Sequence, residues 1–488
     1  MAQVSVNPAD SPSSVGLAGR SGGRSPLDGP GPNGPIERLM SWLIRKLAWS
    51  RLSDPKVAIS ISAVGLLISM IVGASAENVE TMPIRLPLDV LPSMYNEPIL
   101  AAALLYIGNI LACLGLAGML WAHSQGWRPN PRRLLLASAG VVAVMVSLTP
   151  VGSSDTASYA IYGRIAVQGG DPYTISPYRW QLHHPADWLF YNTVGVLWHH
   201  QPSVYGPIAT AIQSFAAWVG GGNVSHTIWV LMILNGLVFI GVGVLLLKTA
   251  DNPVRATLFW VANPVLIQQL VSGGHLDTFV AAAAICAIQV ARRVSGKWGD
   301  VLIGVLIGVA CGVKITAVLI ALGLAWPLLM RREWMRTARI AAVALVTVAL
   351  EYSYYGLSAL KPLLHGSQWV GLPSPWWFFQ EIGVGLGFKA STMDSLVTIL
   401  WPIAMIVVAW LIYRRISSDQ PREIVAPFAL SFAWLLVAPW QMAWYAAIAW
   451  VTLTQVPRNR MTRWLAIVTV FLAIWHSSGG QPIPGQLL

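Results

Sequence analysis

Thirteen apolar runs, most of them separated by short loops, leave this chain one broad architecture. They lie at about residues 57–75, 98–121, 134–150, 227–247, 256–271, 277–291, 301–313, 315–330, 337–358, 396–412, 423–438, 441–456 and 464–478. A helix needs about 20 apolar residues to cross the hydrocarbon of a bilayer. Inside that layer every backbone N–H and C=O has to be satisfied within the protein, so such runs are helices. Charged residues make up 10% of the chain, against about 25% in a soluble domain. The expected fold is therefore an all-α polytopic membrane protein with about 13 transmembrane helices over 57–478. Several runs fall short of a full span, which is tolerated where a helix lines a cavity in protein rather than lipid.

The placement of charge sets the expected topology. Residues 1–36 are rich in Gly, Ser and Pro and are expected to be disordered. Across 37–52, Leu39, Met40, Leu43, Ile44 and Leu47 recur at helical spacing opposite Arg38, Arg45 and Arg51, the pattern of a basic helix lying on an anionic membrane surface. With the N-terminus in the cytoplasm, 25 of the 31 Lys and Arg fall on that side; Arg85, Arg164, Arg179, Lys314, Lys361 and Lys389 fall outside. This is the positive-inside pattern, so the net charge of +11 reports topology rather than nucleic-acid binding. Pro207–Val219 is expected to lie along the outer surface, because counting it as a span inverts every later loop. The run around Lys314 must hold a tight helix pair with Lys314 near its outer end.

Polar residues collect in the outer loops. An apolar helix over Leu134–Leu148 breaks at Pro150 and Gly152, and Asp155 follows at the membrane mouth. The loop 151–226 also holds Tyr159, Arg164, Asp171, Tyr173 and Tyr205. The turn Ser272–Asp277 brings His275 and Asp277, the long loop 359–395 brings His365, Trp376 and Trp377, and Pro439–Tyr445 forms an aromatic turn. An ionisable residue at the membrane is costly to place and reads first as functional, although an Asp at a helix end also serves as a cap. His275 and Lys314 read as cations for a phosphate, or as packing and pairing partners of Asp277. Adjacent histidines at 183–184 and 199–200 rarely point to one ion, so no metal is expected. Cys113, Cys286 and Cys311 lie in apolar runs and read as small buried hydrophobes. No phosphate-cradling G-x-x-x-x-G-K-[ST] or G-x-G-x-x-G turn occurs, so a phosphate-bearing substrate is expected to arrive in the membrane and not as a nucleotide.

Five segments occur in order: S-S-D-T-A-S-Y-A-I-Y-G-R with G-G-D-P-Y, V-Y-G-P at 204–207, A-N-P-V-L-I-Q-Q-L-V-S-G-G-H-L-D at 262–277, G-V-K-I-T-A at 312–317 and A-P-W-Q-M-A-W-Y at 438–445. Together they resemble the actinobacterial polyprenol-phosphate-mannose-dependent α-(1→6)-mannosyltransferases, integral-membrane glycosyltransferases of the GT-C class, over roughly 134–460. The resemblance implies a GT-C-like bundle with external juxtamembrane helices in the plasma membrane, its active site facing outside. It implies a polyprenyl-phosphate-mannose donor, a lipid-anchored mannan acceptor and no cofactor. Asp155 would correspond to the acidic residue of the family's first external loop and act as general base, with Lys314, His275 and Arg164 on the phosphate. Asp171, Tyr173, Tyr205, Asp277, Trp440 and Tyr445 would bind substrate. A short outer tail, 479–488, leaves no external sugar-binding domain expected. Another lipid-linked sugar, such as arabinose, fits the same residues. A transporter fits less well, because the chain shows no matching pair of broken-helix halves.

Overall fold

The computed structural model describes residues 52–75, 84–94, 97–366, 369–416 and 421–476. Segment 1–36, the basic helix 37–52 apart from Leu52, and the tail 479–488 lie outside the described residues. Helices α1 (Pro55–Ala74), α2 (Pro98–Ser124) and α3 (Pro131–Met145) come first, and α4 (Asp155–Val167), α5 (Pro177–His183), α6 (Trp188–Asn192) and α7 (Pro207–Gly220) occupy the long loop. Next come α8 (Val224–Thr249), α9 (Pro253–Phe259), α10 (Pro264–Leu266), α11 (Asp277–Arg293), α12 (Lys297–Val313), α13 (Val318–Met330) and α14 (Trp334–Tyr352). The series closes with α15 (Leu360–Gly366), α16 (Pro375–Gly385), α17 (Ala390–Arg415), α18 (Arg422–Val437), α19 (Ala446–Leu453) and α20 (Met461–Trp475). No strand occurs among the described residues. Many helix starts are written locally: proline opens α1, α3, α9 and α10, and the preceding Asp54, Asn130, Asn252 and Asn263 accept backbone N–H groups of the first turn.

Among the described residues four helices, α1, α2, α8 and α17, are long and apolar enough to cross a membrane. A fifth span arises if α14 and the segment Leu357–Leu363, bent by 101°, are counted together. Segments 315–330, 443–453 and 461–475 are apolar but shorter. The run 256–271 is divided by Pro264 into α9, α10 and a π-helical turn over Ile267–Ser272. The structure also corrects the expected tight pair around Lys314. The chain does break there, at a 3-10 turn over Ile315–Ala317, but α12 packs along α14 and α13 packs along α18, so the two helices splay apart.

Small residues let α1 and α2 cross closely. Ser62, Gly65 and Ser69 of α1 are buried against Gly108, Ala112 and Gly115 of α2, where a Cβ on Gly115 would lie 2.0 Å from Ser62 Oγ. Close backbone approach replaces the hydrophobic effect that lipid cannot supply. A fully buried core lies where α9, α11, α18 and α20 surround α19, every residue of which is buried. Trp450 and Trp260 are fully enclosed there and nearby. Their indole N–H groups donate to Thr469 Oγ1 and to the Phe239 carbonyl, both at 2.9 Å, which removes the cost of burying a polar tip.

Candidate active site

Backbone contacts draw the polar segments together. The Val151 N–H donates to the Ser272 carbonyl at 3.1 Å, tying the loop before Asp155 to the S-G-G-H turn. Gly274 adopts φ +66, and a Cβ there would sit 2.3 Å from Thr156; only glycine suits both the left-handed backbone and the close approach. Gly206 of V-Y-G-P donates to the Val313 carbonyl at 3.1 Å and passes so near that a Cβ would meet the Gly312 carbonyl oxygen at 2.2 Å. Tyr205 is thereby held beside the segment that carries Lys314. Through the π-turn, Gly273 and His275 donate to the carbonyls of Gln268 and Leu270, each five residues back. The extra residue per turn re-aims the chain that follows, and His275 emerges facing Asp155.

At the centre, His275 Nδ1 lies 3.2 Å from Asp155 Oδ2, and the Tyr159 hydroxyl donates to the same oxygen at 3.2 Å. Asp155 heads α4, where the helix dipole favours a carboxylate. His275 is 1% exposed and stacked on Trp444, ring centroids 3.7 Å apart. Its carbonyl accepts from Asn235 Nδ2 at 2.6 Å, and Asn235 Oδ1 in turn accepts from Thr278. Alongside, Lys314 Nζ donates to both oxygens of Asp277 at 3.1 and 3.0 Å and rests over the Tyr445 ring at 4.2 Å. Burial pushes the Asp155 carboxyl up, but His275, then Lys314 and Tyr159, outweigh it and the net direction is down. Burial likewise works against the Lys314 ammonium, and Asp277 holds it above its ordinary range. The arrangement offers an ionised carboxylate beside a paired ammonium in a largely dry setting.

The other expected residues lie elsewhere or have local partners. Arg164 is nine residues along α4 from Asp155, about 13.5 Å and half a turn away. It pairs with Asp187 at 3.1 Å, where Trp180 Nε1 also donates. It is therefore not brought to the Asp155 centre. Asp171 closes its own turn by accepting from the Tyr173 N–H and the Thr174 hydroxyl. Tyr173 is buried, its hydroxyl 2.7 Å from Thr210 Oγ1 and its ring on Tyr355. Tyr205 meets Tyr159 edge to face at 5.0 Å. Trp440 belongs to an aromatic row with Trp369 and Trp198. His184 stacks on Trp180, His200 lies tilted against Tyr178, and His199 bridges Tyr191 and the Val194 carbonyl. Among the described residues no three His, Cys, Asp or Glu side chains are grouped to hold a metal.

Three participants carried no role in the sequence reading. Tyr159 stands four residues after Asp155 on the same helix face, a spacing that is visible in the sequence. Trp444 lies inside the aromatic turn, but nothing local says that it stacks on His275. Asp89, in the loop between α1 and α2, is buried and accepts from the Leu86 N–H and from both the N–H and hydroxyl of Thr149. Burial pushes its carboxyl up despite these donors. That loop precedes the one carrying Asp155, so the first loop at this end of the bundle has an acid of its own, already engaged in holding the α3 break.

The Tyr159 contact makes a kinetic prediction. Removing a donor that favours the ionised carboxylate raises its pKa, so Tyr159→Phe is expected to move the acid limb of kcat/KM to higher pH, from a wild-type position on the low side of the ordinary carboxylate range. A base is lost as pH falls through its folded-state pKa, which fixes the sign. An unchanged limb with a lower plateau makes Tyr159 a packing residue only.

The profile described as "Alpha-(1->6)-mannopyranosyltransferase, N-terminal domain" matches residues 58–331, more than half of the chain. The chain belongs to this family. Alpha-(1->6)-mannopyranosyltransferase B of Corynebacterium glutamicum is 26% identical over 349 residues, covering 62% of this chain and 56% of that protein. Alpha-(1->6)-mannopyranosyltransferase A of Mycobacterium tuberculosis is 25% identical over 395 residues, 71% of each. A probable alpha-(1->6)-mannopyranosyltransferase of Mycolicibacterium smegmatis is 26% identical over 211 residues, 42% of this chain and 33% of that protein. The chain thus spans about half the length of the first of these curated relatives. No solved structure matches it. The family match contains Asp155, His275, Asp277 and Lys314, whereas Trp444 and Tyr445 reach the same cluster from beyond its end.

Proposed function

We propose that this chain is an inverting mannosyltransferase of the GT-C class. It moves mannose from a polyprenyl-phosphate β-mannose to the 6-hydroxyl of a lipid-anchored mannan, forming α-(1→6) linkages in lipoglycan synthesis. Family membership supports the sugar and the linkage, since the named relatives are α-(1→6)-mannopyranosyltransferases. The observation that carries the chemistry is the Asp155 carboxylate, kept on the ionised side and set beside the His275 and Lys314 cluster. Both of its close contacts fall on Oδ2, so Oδ1 is the oxygen assigned to receive a proton.

In this scheme the acceptor hydroxyl oxygen attacks the anomeric carbon from the face opposite the phosphate, and its proton passes to Asp155 Oδ1. The bond from the anomeric carbon to the phosphate oxygen breaks in the same displacement, the electron pair leaves with the phosphate, and β becomes α. Phosphate leaves without a general acid, so the scheme uses no cofactor. Lys314 has three N–H donors, and two are directed at Asp277. The third is assigned to the leaving phosphate, where a well-placed donor contributes about 3–4 kcal/mol. His275 supplies the second phosphate contact, while Tyr205, Tyr445 and Trp440 offer ring faces to the sugars or the first isoprene. The bundle would sit in the plasma membrane with its N-terminus inside and this cluster outside. Its complement of about thirteen spans would include broken and short crossings such as α9–α10, α13 and α19.

The test is transfer by the purified full chain from radiolabelled polyprenyl-phosphate-mannose to a synthetic α-(1→6)-dimannoside. An α-(1→6)-trimannoside is expected, with no product from a nucleotide-linked mannose. Product only from polyprenyl-phosphate-arabinose, or only from the nucleotide sugar, sinks the reading.

A further inference from the structure

The far end of α12 carries a second charged feature, remote from the cluster around Asp155. The helix has 17 residues and so spans about 25 Å, close to the roughly 30 Å of a bilayer's hydrocarbon core. Lys314 follows its last residue. At its first residue α12 runs beside the start of α14, and between the two lies a cleft of about 510 Å³ whose charged lining is Lys297, Arg332, Arg336, Arg339, Asp300 and Glu333. Four cations against two carboxylates leave a net charge of +2. Asp300 is 2% exposed and accepts from Arg336 Nε at 2.7 Å and from Arg339 at 2.5 Å. One buried carboxylate therefore holds two guanidinium groups side by side at the cleft. Both helices also begin here, adding the positive ends of their dipoles. Arg332 sits at φ 59, a costly conformation for a side chain other than glycine.

The surroundings of this recess are apolar and exposed. Trp334 and Met335, which line it, are 60% and 77% exposed, and Trp298, next in sequence to the lining Lys297, is 83% exposed. Leu302 and Val305 continue the Trp298 stripe along α12, and Leu345, Val346 and Leu350 are exposed along α14. A dissolved anion would account for the cations but leave these side chains unexplained. A phosphate carried on acyl chains accounts for both, with the charge in the recess and the chains along the stripe.

We propose that the cleft between the starts of α12 and α14 binds the headgroup of an anionic phospholipid at the membrane face opposite the Asp155 cluster. This rests on the chain crossing a membrane and is independent of its being a transferase. The Asp300 pairs preorganise the guanidinium groups, Lys297 and Arg332 close over the phosphate, and the rim aromatics sit at headgroup level.

Native mass spectrometry of the full chain tests this, using phosphatidylglycerol and phosphatidylcholine with identical acyl chains. Wild type is expected to retain phosphatidylglycerol in preference to phosphatidylcholine. The variant Lys297→Ala with Arg332→Gly spares the Asp300 pairs and puts glycine where φ is positive. It is expected to bind phosphatidylglycerol roughly 30-fold more weakly, the factor for two near-surface cations. If that variant elutes as aggregate, Arg332→Gly alone replaces it, with about a fivefold loss expected. Trp298→Ser with Met335→Ser should also weaken lipid retention while leaving the charges in place. Equal retention of both lipids by wild type, or unchanged phosphatidylglycerol binding in the charge variants, overturns the proposal. So does displacement of phosphatidylglycerol by equimolar inorganic phosphate with no effect of the serine variant, which marks a simple anion site.

Discussion

Replacing Asp155 with Asn is expected to lower mannosyl transfer by at least roughly 100-fold, the typical contribution of a general base. The variant should still be expressed, inserted and able to bind the lipid donor. Asparagine keeps the size of the side chain and an oxygen for Tyr159, but it cannot take a proton. It also removes the charge facing His275 at 3.2 Å, so a modest drop in melting temperature is expected alongside the kinetic loss. Glu at 155 should recover little, because one methylene shifts the carboxylate by about 1 Å and such displacements are costly. Transfer and melting are to be measured on the same preparation. A melt lowered with near-normal transfer makes Asp155 a brace, and Asp277 and Asp89, buried carboxylates at this end of the bundle, become the bases to test.

The second large effect is at Lys314, where stability and chemistry have to be separated. Lys314→Ala leaves Asp277, 2% exposed, as a buried charge without its partner, a change that costs about 3–5 kcal/mol. Lost activity in that variant alone would be ambiguous. Combining Lys314→Met with Asp277→Leu removes both charges at nearly constant volume, and replacements of that kind are often neutral for stability. The double variant is expected to regain a near wild-type melting temperature and to remain inactive, because the third Lys314 N–H has no substitute at the phosphate. Recovery of transfer together with the melt would leave Lys314 a structural role only. The phosphate would then be sought at His275 or at Arg179 in the outer loop.

Sequence and structure divide between these two residues in an instructive way. That Asp155 follows a broken apolar helix is evident from Pro150 and Gly152, and that Lys314 interrupts an apolar run is equally plain. Pairing of Lys314 with Asp277 was one reading open in the sequence and the structure shows it, with one Lys314 N–H left for the phosphate contact proposed above. Arg164 illustrates the opposite case. Its charge and its loop suited a phosphate contact, but the pitch of α4 turns it to the far side, where Asp187 takes it. Tyr159 was visible at i+4, whereas Trp444 had no local sign of its role.

Taken alone, the sequence determined the class of fold and the family. Run length, composition and the order of five short motifs are properties of the chain itself, and the bilayer's demand for internally satisfied backbone leaves helices as the solution for such runs. Helix starts at Pro behind Asp or Asn are similarly local. Only the tertiary structure decided who meets whom. The π-turn before His275, the left-handed Gly274, the passage of Gly206 against Gly312 and the splaying of α12 from α13 each depend on segments far apart in sequence. Contacts of that kind are set by packing of the whole bundle, so no window of the sequence contains them.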